Sequence, residues 1–262
     1  MGRAGMVAFL LVVLAGPAVA TAPSGDPARA LLSAGDSALT RLDLAAAAAA
    51  YAEAHRQAPG SYEAAWKLAR ALADQATLTK ATDDQERLCH QAESLARAAI
   101  ALDPRGTKGH VFLAIALGKL ALFVGGKRKV RLSHEIESEA DTALALDPND
   151  DLAHHVLGVW NREVAELSGF LRFFAKVLYG KLPTGSLGAA LDHLGKARSL
   201  HPEVIPHRVE LGITLAAAHR YREAEQELEG AVQMPTTWVT DDYYRAKARI
   251  ALTDVRKHLR PR

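Results

Sequence analysis

Four prolines, at positions 59, 104, 148 and 202, mark a repeated pattern that constrains this chain more than any other feature. Leucine stands nine residues after each proline, and alanine or glycine stands ten residues after it. Small or hydrophobic residues also recur twelve, eight and five residues before each proline. Those three positions form one stripe on a helix, which the proline then ends. The pattern predicts helix pairs that stack on one another to bury their stripes.

The predicted unit is similar to the tetratricopeptide repeat, a helix–turn–helix of about 34 residues. The first and last units keep that length, whereas proline spacings of 45, 44 and 54 residues leave room for longer helices between them. We predict an all-α fold, an α-solenoid of about five such pairs with lengthened middle helices and a C-terminal capping helix. The predicted units of this single domain, 21–262, are 28–59, 60–104, 105–148, 149–202 and 203–236, with the cap at 238–259.

The first twenty residues have the composition of an export signal. Arg3 precedes an apolar run from Met6 to Ala15, and Gly16-Pro17 then breaks the helix. Ala18-Val19-Ala20 fits the small-residue pattern of a cleavage site. We predict that residues 1–20 are a secretory signal peptide, with an uncleaved N-terminal anchor as the alternative. The chain is therefore expected in the periplasm or cell envelope.

Net charge argues against a nucleic-acid-binding protein, and the cysteine content excludes a protein stabilised by internal disulfides. The formal net charge is only +2, which argues against a dedicated nucleic-acid binder. The chain has one cysteine, Cys89, so an internal disulfide is impossible and stability must come from packing. We interpret this thiol as a small buried hydrophobic group.

The motifs favour neither an enzyme nor a metal site. The chain has 11 histidines, but the adjacent His154 and His155 would lie about 100° apart on a helix and cannot face one ion. In the repeat register His110 and His154 are equivalent, which indicates a structural position. Gly125-Gly126-Lys127 lacks the upstream glycine and the Ser/Thr of a phosphate-binding loop. We predict no catalytic residue, no metal and no cofactor.

The segment 154–202 carries a more specific family pattern. It reads His-x-Leu-Gly-x-Trp, Val-Ala-x-Leu-Ser, Tyr-Gly-x-x-Pro and Ala-Leu-x-x-x-x-Lys-Ala in turn. With these motifs the chain resembles the regulator of microtubule dynamics protein family over roughly residues 90–255. Gly169 departs from the family, which usually has Trp after the serine. The matching residues are His155, Leu157, Gly158, Trp160, Val164, Ala165, Leu167, Ser168, Tyr179, Gly180, Pro183, Ala190, Leu191, Lys196 and Ala197.

This resemblance implies an all-α interaction domain with tetratricopeptide-like repeats. Animal members of the family are associated with microtubules, spindle poles and mitochondria or their contacts with other membranes. The predicted export signal is of a bacterial type, and an exported bacterial protein does not meet microtubules, so the microtubule is expected as a partner only if the family role carries over.

The first helices of such repeats line a concave face, and here they present an apolar floor with basic points. We predict a groove that binds a protein or peptide partner through an amphipathic or acidic segment. A lipid with an anionic head also fits such a surface. The predicted groove residues are Trp66, Arg70, Lys108, Val111, Ile115, His155, Val159, Arg162, Val209 and Ile213.

Two segments support the alternative function, a lipid-binding or membrane-associated adaptor. A basic loop at 125–131 is suited to contact a phosphate or an anionic surface. The insert at 169–181 is either a helix that lies on a membrane interface or lines a lipid cavity, or a segment that folds back over the repeats. The residues proposed for these contacts are Lys127, Arg128, Lys129, Arg131, Phe170, Phe173 and Phe174.

Overall fold

The computed structural model describes residues 26–167 and 184–260, and all regular secondary structure in these ranges is helical. Consecutive helices pack in pairs, and α3, α5, α7 and α9 stack in that order, which confirms the predicted α-solenoid. The predicted signal at 1–20 lies outside the described residues. The helices are α1 Pro27–Thr40, α2 Leu44–Gln57, α3 Tyr62–Leu78, α4 Thr82–Leu102, α5 Thr107–Leu120, α6 Gly126–Leu146, α7 Asp151–Ala165, α8 Leu187–Leu200, α9 Ile205–Ala217, α10 Tyr221–Gln233 and α11 Asp241–Leu259.

The extra residues of the second and third units lengthen the second helix of each pair. Helices α4 and α6 have 21 residues each, whereas α2 has 14. The prediction that residues 125–131 form a loop is wrong, because α6 already begins at Gly126. Gly126 has a φ of 54°, a conformation that suits glycine, and α6 starts there, after the five residues 121–125 that follow α5. The four basic residues therefore lie on the first two turns of α6.

Small residues let the two helices of a pair approach closely. A Cβ atom built at Gly158 would lie 2.4 Å from Leu194 Cγ, and one at Gly212 would lie 2.7 Å from Leu228 Cγ. Both leucines are fully buried, and Leu194 stands eight residues before its register proline. A glycine at the recurring small position thus makes room for a leucine on the partner helix.

A polar contact recurs at the joint between units. His110 and His154, each six residues after a register proline, hold the carbonyl oxygens of Pro104 and Pro148 through Nε2, at 3.0 and 3.1 Å. The other ring nitrogen contacts a residue nine positions before the next register mark, Glu139 or His193. This position of the repeat therefore fastens the end of one unit to the helices of the next.

Candidate functional site

A half-enclosed cavity of about 380 Å³ lies on the inner face of the stack. Helices α3, α5, α7 and α9 line it on one side, and α11 with the connector before it closes another side. Its apolar lining includes Phe112, Ile115, Leu152 and Tyr244, and its charged lining includes Arg70, Asp74, Lys108, Lys119 and Asp151. The cavity thus has the size and the mixed lining of a site for a small ligand or a short peptide segment.

The structure places the predicted groove residues in three different environments. Arg70, Lys108, Ile115 and His155 line the cavity. Trp66 stacks on Phe112 beside it, with ring centroids 5.8 Å apart, and Val159 and Ile213 are half-buried outside its lining.

For Val111, Val209 and Arg162 the predicted exposure to the groove is wrong, because these side chains face neighbouring helices. Val111 packs in a buried cluster with Ala143 and Ala153, and Val209 is in the core of the C-terminal pairs. Each first helix of the stack is covered by its own partner and by the first helices on either side. Only a narrow strip of its surface is left for the cavity.

Arg162 belongs to a buried ionic network between α7, α9 and α11. Its Nη1 atom lies 2.9 Å from Glu210 Oε2 and donates to the Thr214 hydroxyl at 3.2 Å. The side chains of Arg162 and Glu210 are each only 4% exposed, and Lys247 of α11 also pairs with Glu210. Burial alone would raise the pKa of Glu210, but Lys247 and Arg162 hold it below its usual value. The network ties the capping helix to the interior of the stack.

A chain of histidines and a carboxylate runs along one wall of the cavity. His155 Nδ1 lies 3.0 Å from His207 Nδ1, so one imidazole donates this hydrogen bond and the other accepts it. His207 Nε2 lies 2.8 Å from Asp151 Oδ2, and this bond holds the pKa of Asp151 down although burial alone would raise it. Burial, reinforced by His207, lowers the pKa of His155 to about 3. His155 is therefore neutral in the folded protein near neutral pH.

This neutral histidine makes stability depend on pH in a defined window. In the unfolded chain His155 takes up a proton below about pH 6.5, whereas in the folded chain it does not until far lower pH. The contribution of His155 should therefore lower the free energy of unfolding by about 1–2 kcal/mol between pH 7 and pH 5. Urea unfolding across this range should show a shallower fall for His155→Gln. A slope for His155→Gln equal to that of the wild type would contradict the assignment.

Two cavity residues, Asp74 and Lys119, were not identified by the repeat register. Burial raises the pKa of Asp74 and lowers that of Lys119. Asp74 lies one helical turn after Arg70, and Lys119 one turn after Ile115, so helical spacing from the predicted groove residues would have pointed to both.

Only some of the residues proposed for a membrane contact lie in the part of the chain that the structure describes. Lys127, Arg128, Lys129 and Arg131 are exposed on α6, whereas Phe170, Phe173 and Phe174 lie outside the described residues. None of the helices in 26–167 and 184–260 combines the length and apolar character needed to cross a membrane. The same two ranges contain no group of three or more His, Cys, Asp or Glu side chains suited to hold a metal ion.

The stacked helix pairs and the inner cavity define a tetratricopeptide-type solenoid. The crystal structure of a thermophilic tetratricopeptide-repeat protein from Thermus thermophilus shares this fold, with a TM-score of 0.61 and 19% identity over 86% of this chain and 99% of that one. The profile of the family described as regulator of microtubule dynamics protein 1-3 matches residues 31–256, and the chain belongs to this family. The chain is thus a tetratricopeptide-type helical repeat protein of this family.

Individual family members are distant relatives of the chain. Regulator of microtubule dynamics protein 1 of Bos taurus is 27% identical over 188 residues, which cover 71% of this chain and 59% of the bovine protein. The Homo sapiens protein of the same name is 26% identical over 190 residues, which cover 72% of this chain and 60% of the human protein. The match therefore spans less than two thirds of either relative.

Proposed function

We propose that the inner cavity binds a short segment of a partner protein. The observation that carries this proposal is the convergence of four stacked first helices on one half-enclosed space of about 380 Å³. A space of this size accommodates a few side chains rather than a whole helix. The partner segment would therefore enter in an extended form or as a chain end.

The lining suggests the chemistry of the bound segment. Phe112, Ile115 and Leu152 offer an apolar surface, against which an aliphatic or aromatic side chain would lose contact with water. Lys119 carries a desolvated ammonium group whose nearby carboxylate, Asp74, already accepts a hydrogen bond from Trp238. An acidic group of the partner would offset this desolvation. We therefore propose a segment that combines apolar side chains with a carboxylate.

Binding of displayed random peptides to the full chain tests this proposal. Peptides selected on the wild type should bind Lys119→Met about tenfold more weakly or worse, because the variant keeps the side chain's length but loses its charge. Lys127→Met is the matched control, since Lys127 is an exposed lysine on α6 outside the cavity lining. Calorimetry of the selected peptides measures both effects. Equal affinity for wild type and Lys119→Met would rule out this cavity as the site.

The alternative function is a lipid-binding or membrane-associated adaptor. The observation in its favour is that Leu122, 77% exposed, lies just before the basic first turns of α6. An exposed apolar side chain beside clustered positive charge is typical of contact with an anionic membrane surface. Under this alternative the same Lys127→Met variant, and not Lys119→Met, would lose binding to anionic vesicles.

Export to the periplasm or cell envelope remains part of the proposal and rests on the composition of residues 1–20. The relatives are named as regulators of microtubule dynamics. A microtubule is the partner for this chain only if that role extends to it, and the cavity chemistry proposed here does not depend on tubulin.

A further inference from the structure

The connector between α10 and α11, residues 234–240, crosses the inner face of the solenoid and contacts α3. Trp238 Nε1 donates a hydrogen bond to Asp74 Oδ2 at 3.1 Å, although the two residues are 164 positions apart. The Arg70 guanidinium lies 3.9 Å from the centroid of the Trp238 ring. Trp238 and Val239 also pack against the hydrophobic cluster formed by the N-terminal helices. The last unit of the solenoid thus places an indole between two charged side chains of the second unit.

The turn of the connector is also fixed by hydrogen bonds to the first turns of α11. Asp241 Oδ2 accepts hydrogen bonds from the backbone N–H groups of Thr237 and Trp238, both at 2.8 Å. Arg245 donates to the carbonyl oxygen of Met234 at 2.7 Å. The connector is therefore a locally organised turn that presents one aromatic side chain to a separate surface.

The surface that receives Trp238 has the features of a recognition subsite. Arg70 offers a cation to the face of an aromatic ring, and Asp74 offers an acceptor to its N–H group. Trp238 remains only half-buried, and both Arg70 and Asp74 continue into the lining of the cavity. A partner segment in the cavity would therefore meet this subsite directly.

We propose that Arg70 and Asp74 form a subsite for a tryptophan side chain of a partner segment, and that Trp238 fills this subsite as an internal competitor. This inference rests on the proposed function, since it names one side chain of the segment that the cavity binds. The connector's own sequence, Pro-Thr-Thr-Trp-Val-Thr-Asp, indicates the kind of segment that fits: a tryptophan between β-branched residues, followed by a carboxylate.

The test uses a peptide with the sequence of residues 235–241, acetylated and amidated, titrated into the full chain by calorimetry. Trp238→Ala should bind the peptide about tenfold more tightly than the wild type or better, because the tethered Trp238 competes at a high effective concentration. A peptide with alanine in place of its tryptophan should not bind. Adding Asp74→Asn to Trp238→Ala should weaken binding of the intact peptide about tenfold.

A second variant, Trp238→Phe, keeps the test informative if Trp238→Ala fails to fold. Trp238→Phe keeps an aromatic ring in the subsite but removes the N–H donor, so it should bind the peptide with an affinity between those of the wild type and Trp238→Ala. Equal peptide affinity for the wild type and both variants, or binding that is indifferent to Asp74→Asn, would overturn the inference.

The outcomes separate this inference from the proposed function. If selected peptides depend on Lys119 but the connector peptide does not bind Trp238→Ala, the cavity function stands and the tryptophan subsite falls. If the connector peptide binds Trp238→Ala and depends on Asp74 while no selected peptide depends on Lys119, the tryptophan subsite stands and the carboxylate recognition proposed through Lys119 falls.

Discussion

Replacing Glu210 with leucine is expected to lower the free energy of unfolding by about 3–5 kcal/mol. Glu210 is the buried counterion of Arg162, and both side chains are only 4% exposed. Without it, the guanidinium keeps the neutral Thr214 hydroxyl and the exposed carboxylate of Glu163, so its charge stays buried and poorly compensated. Chemical denaturation followed by far-UV circular dichroism measures the loss.

Two further variants show whether the loss comes from the uncompensated charge. Replacing Arg162 and Glu210 together with leucine should restore stability to within about 1 kcal/mol of the wild type, because no charge is then left buried. Lys247→Ala should cost clearly less than Glu210→Leu, since the Lys247 side chain is 39% exposed. A double variant as unstable as Glu210→Leu alone would contradict this account.

Replacing Gly158 with alanine is expected to lower the free energy of unfolding by about 1–3 kcal/mol. The added Cβ would lie 2.4 Å from Leu194 Cγ and 3.1 Å from the Leu194 backbone nitrogen. Leu194 is 0% exposed, so it has no free space to move into. This clash outweighs the gain in helix propensity, which is about 0.5–1 kcal/mol for glycine to alanine.

Gly195 provides the matched control on the partner helix. A Cβ at Gly195 meets no atom within 4 Å, so Gly195→Ala should stabilise the protein by about 0.5–1 kcal/mol. Leu194→Ala alone should cost about 2–5 kcal/mol, and adding Gly158→Ala to it should cost clearly less than Gly158→Ala costs in the wild type, because the clash with the Leu194 side chain is gone and only the contact with its backbone nitrogen remains. Equal destabilisation by Gly158→Ala in both backgrounds would show that close helix approach is not the cause.

The helix pairs can be predicted from the sequence because their packing is periodic. Where the small residue after a register proline is glycine, it meets a leucine of the partner helix, as Gly158 meets Leu194 and Gly212 meets Leu228. The structural role of His154 follows from the same periodicity, since His110 makes the equivalent contact one unit earlier. Residues at equivalent positions of the repeat therefore make equivalent packing contacts.

The site is only partly predictable, for two physical reasons. The register assigns a face to each first helix but not the width of the strip left open, so buried Val111 and Val209 cannot be separated from accessible Ile115. Trp238 lies in a non-helical connector without a periodic pattern, and its partner Asp74 is 164 residues away. Contacts of that range depend on the curvature of the whole stack, which arises from small rotations between units.

The contact between Trp238 and Asp74 also changes how the solenoid can come apart. A stack in which each repeat contacts only its neighbours can unfold repeat by repeat from either end. Here the connector before the last helix contacts the second pair, so the units between them form a loop that this contact closes. Separation of the units inside this loop must break the contact between Trp238 and Asp74, and this coupling makes their unfolding more cooperative than the linear order of the repeats alone would allow.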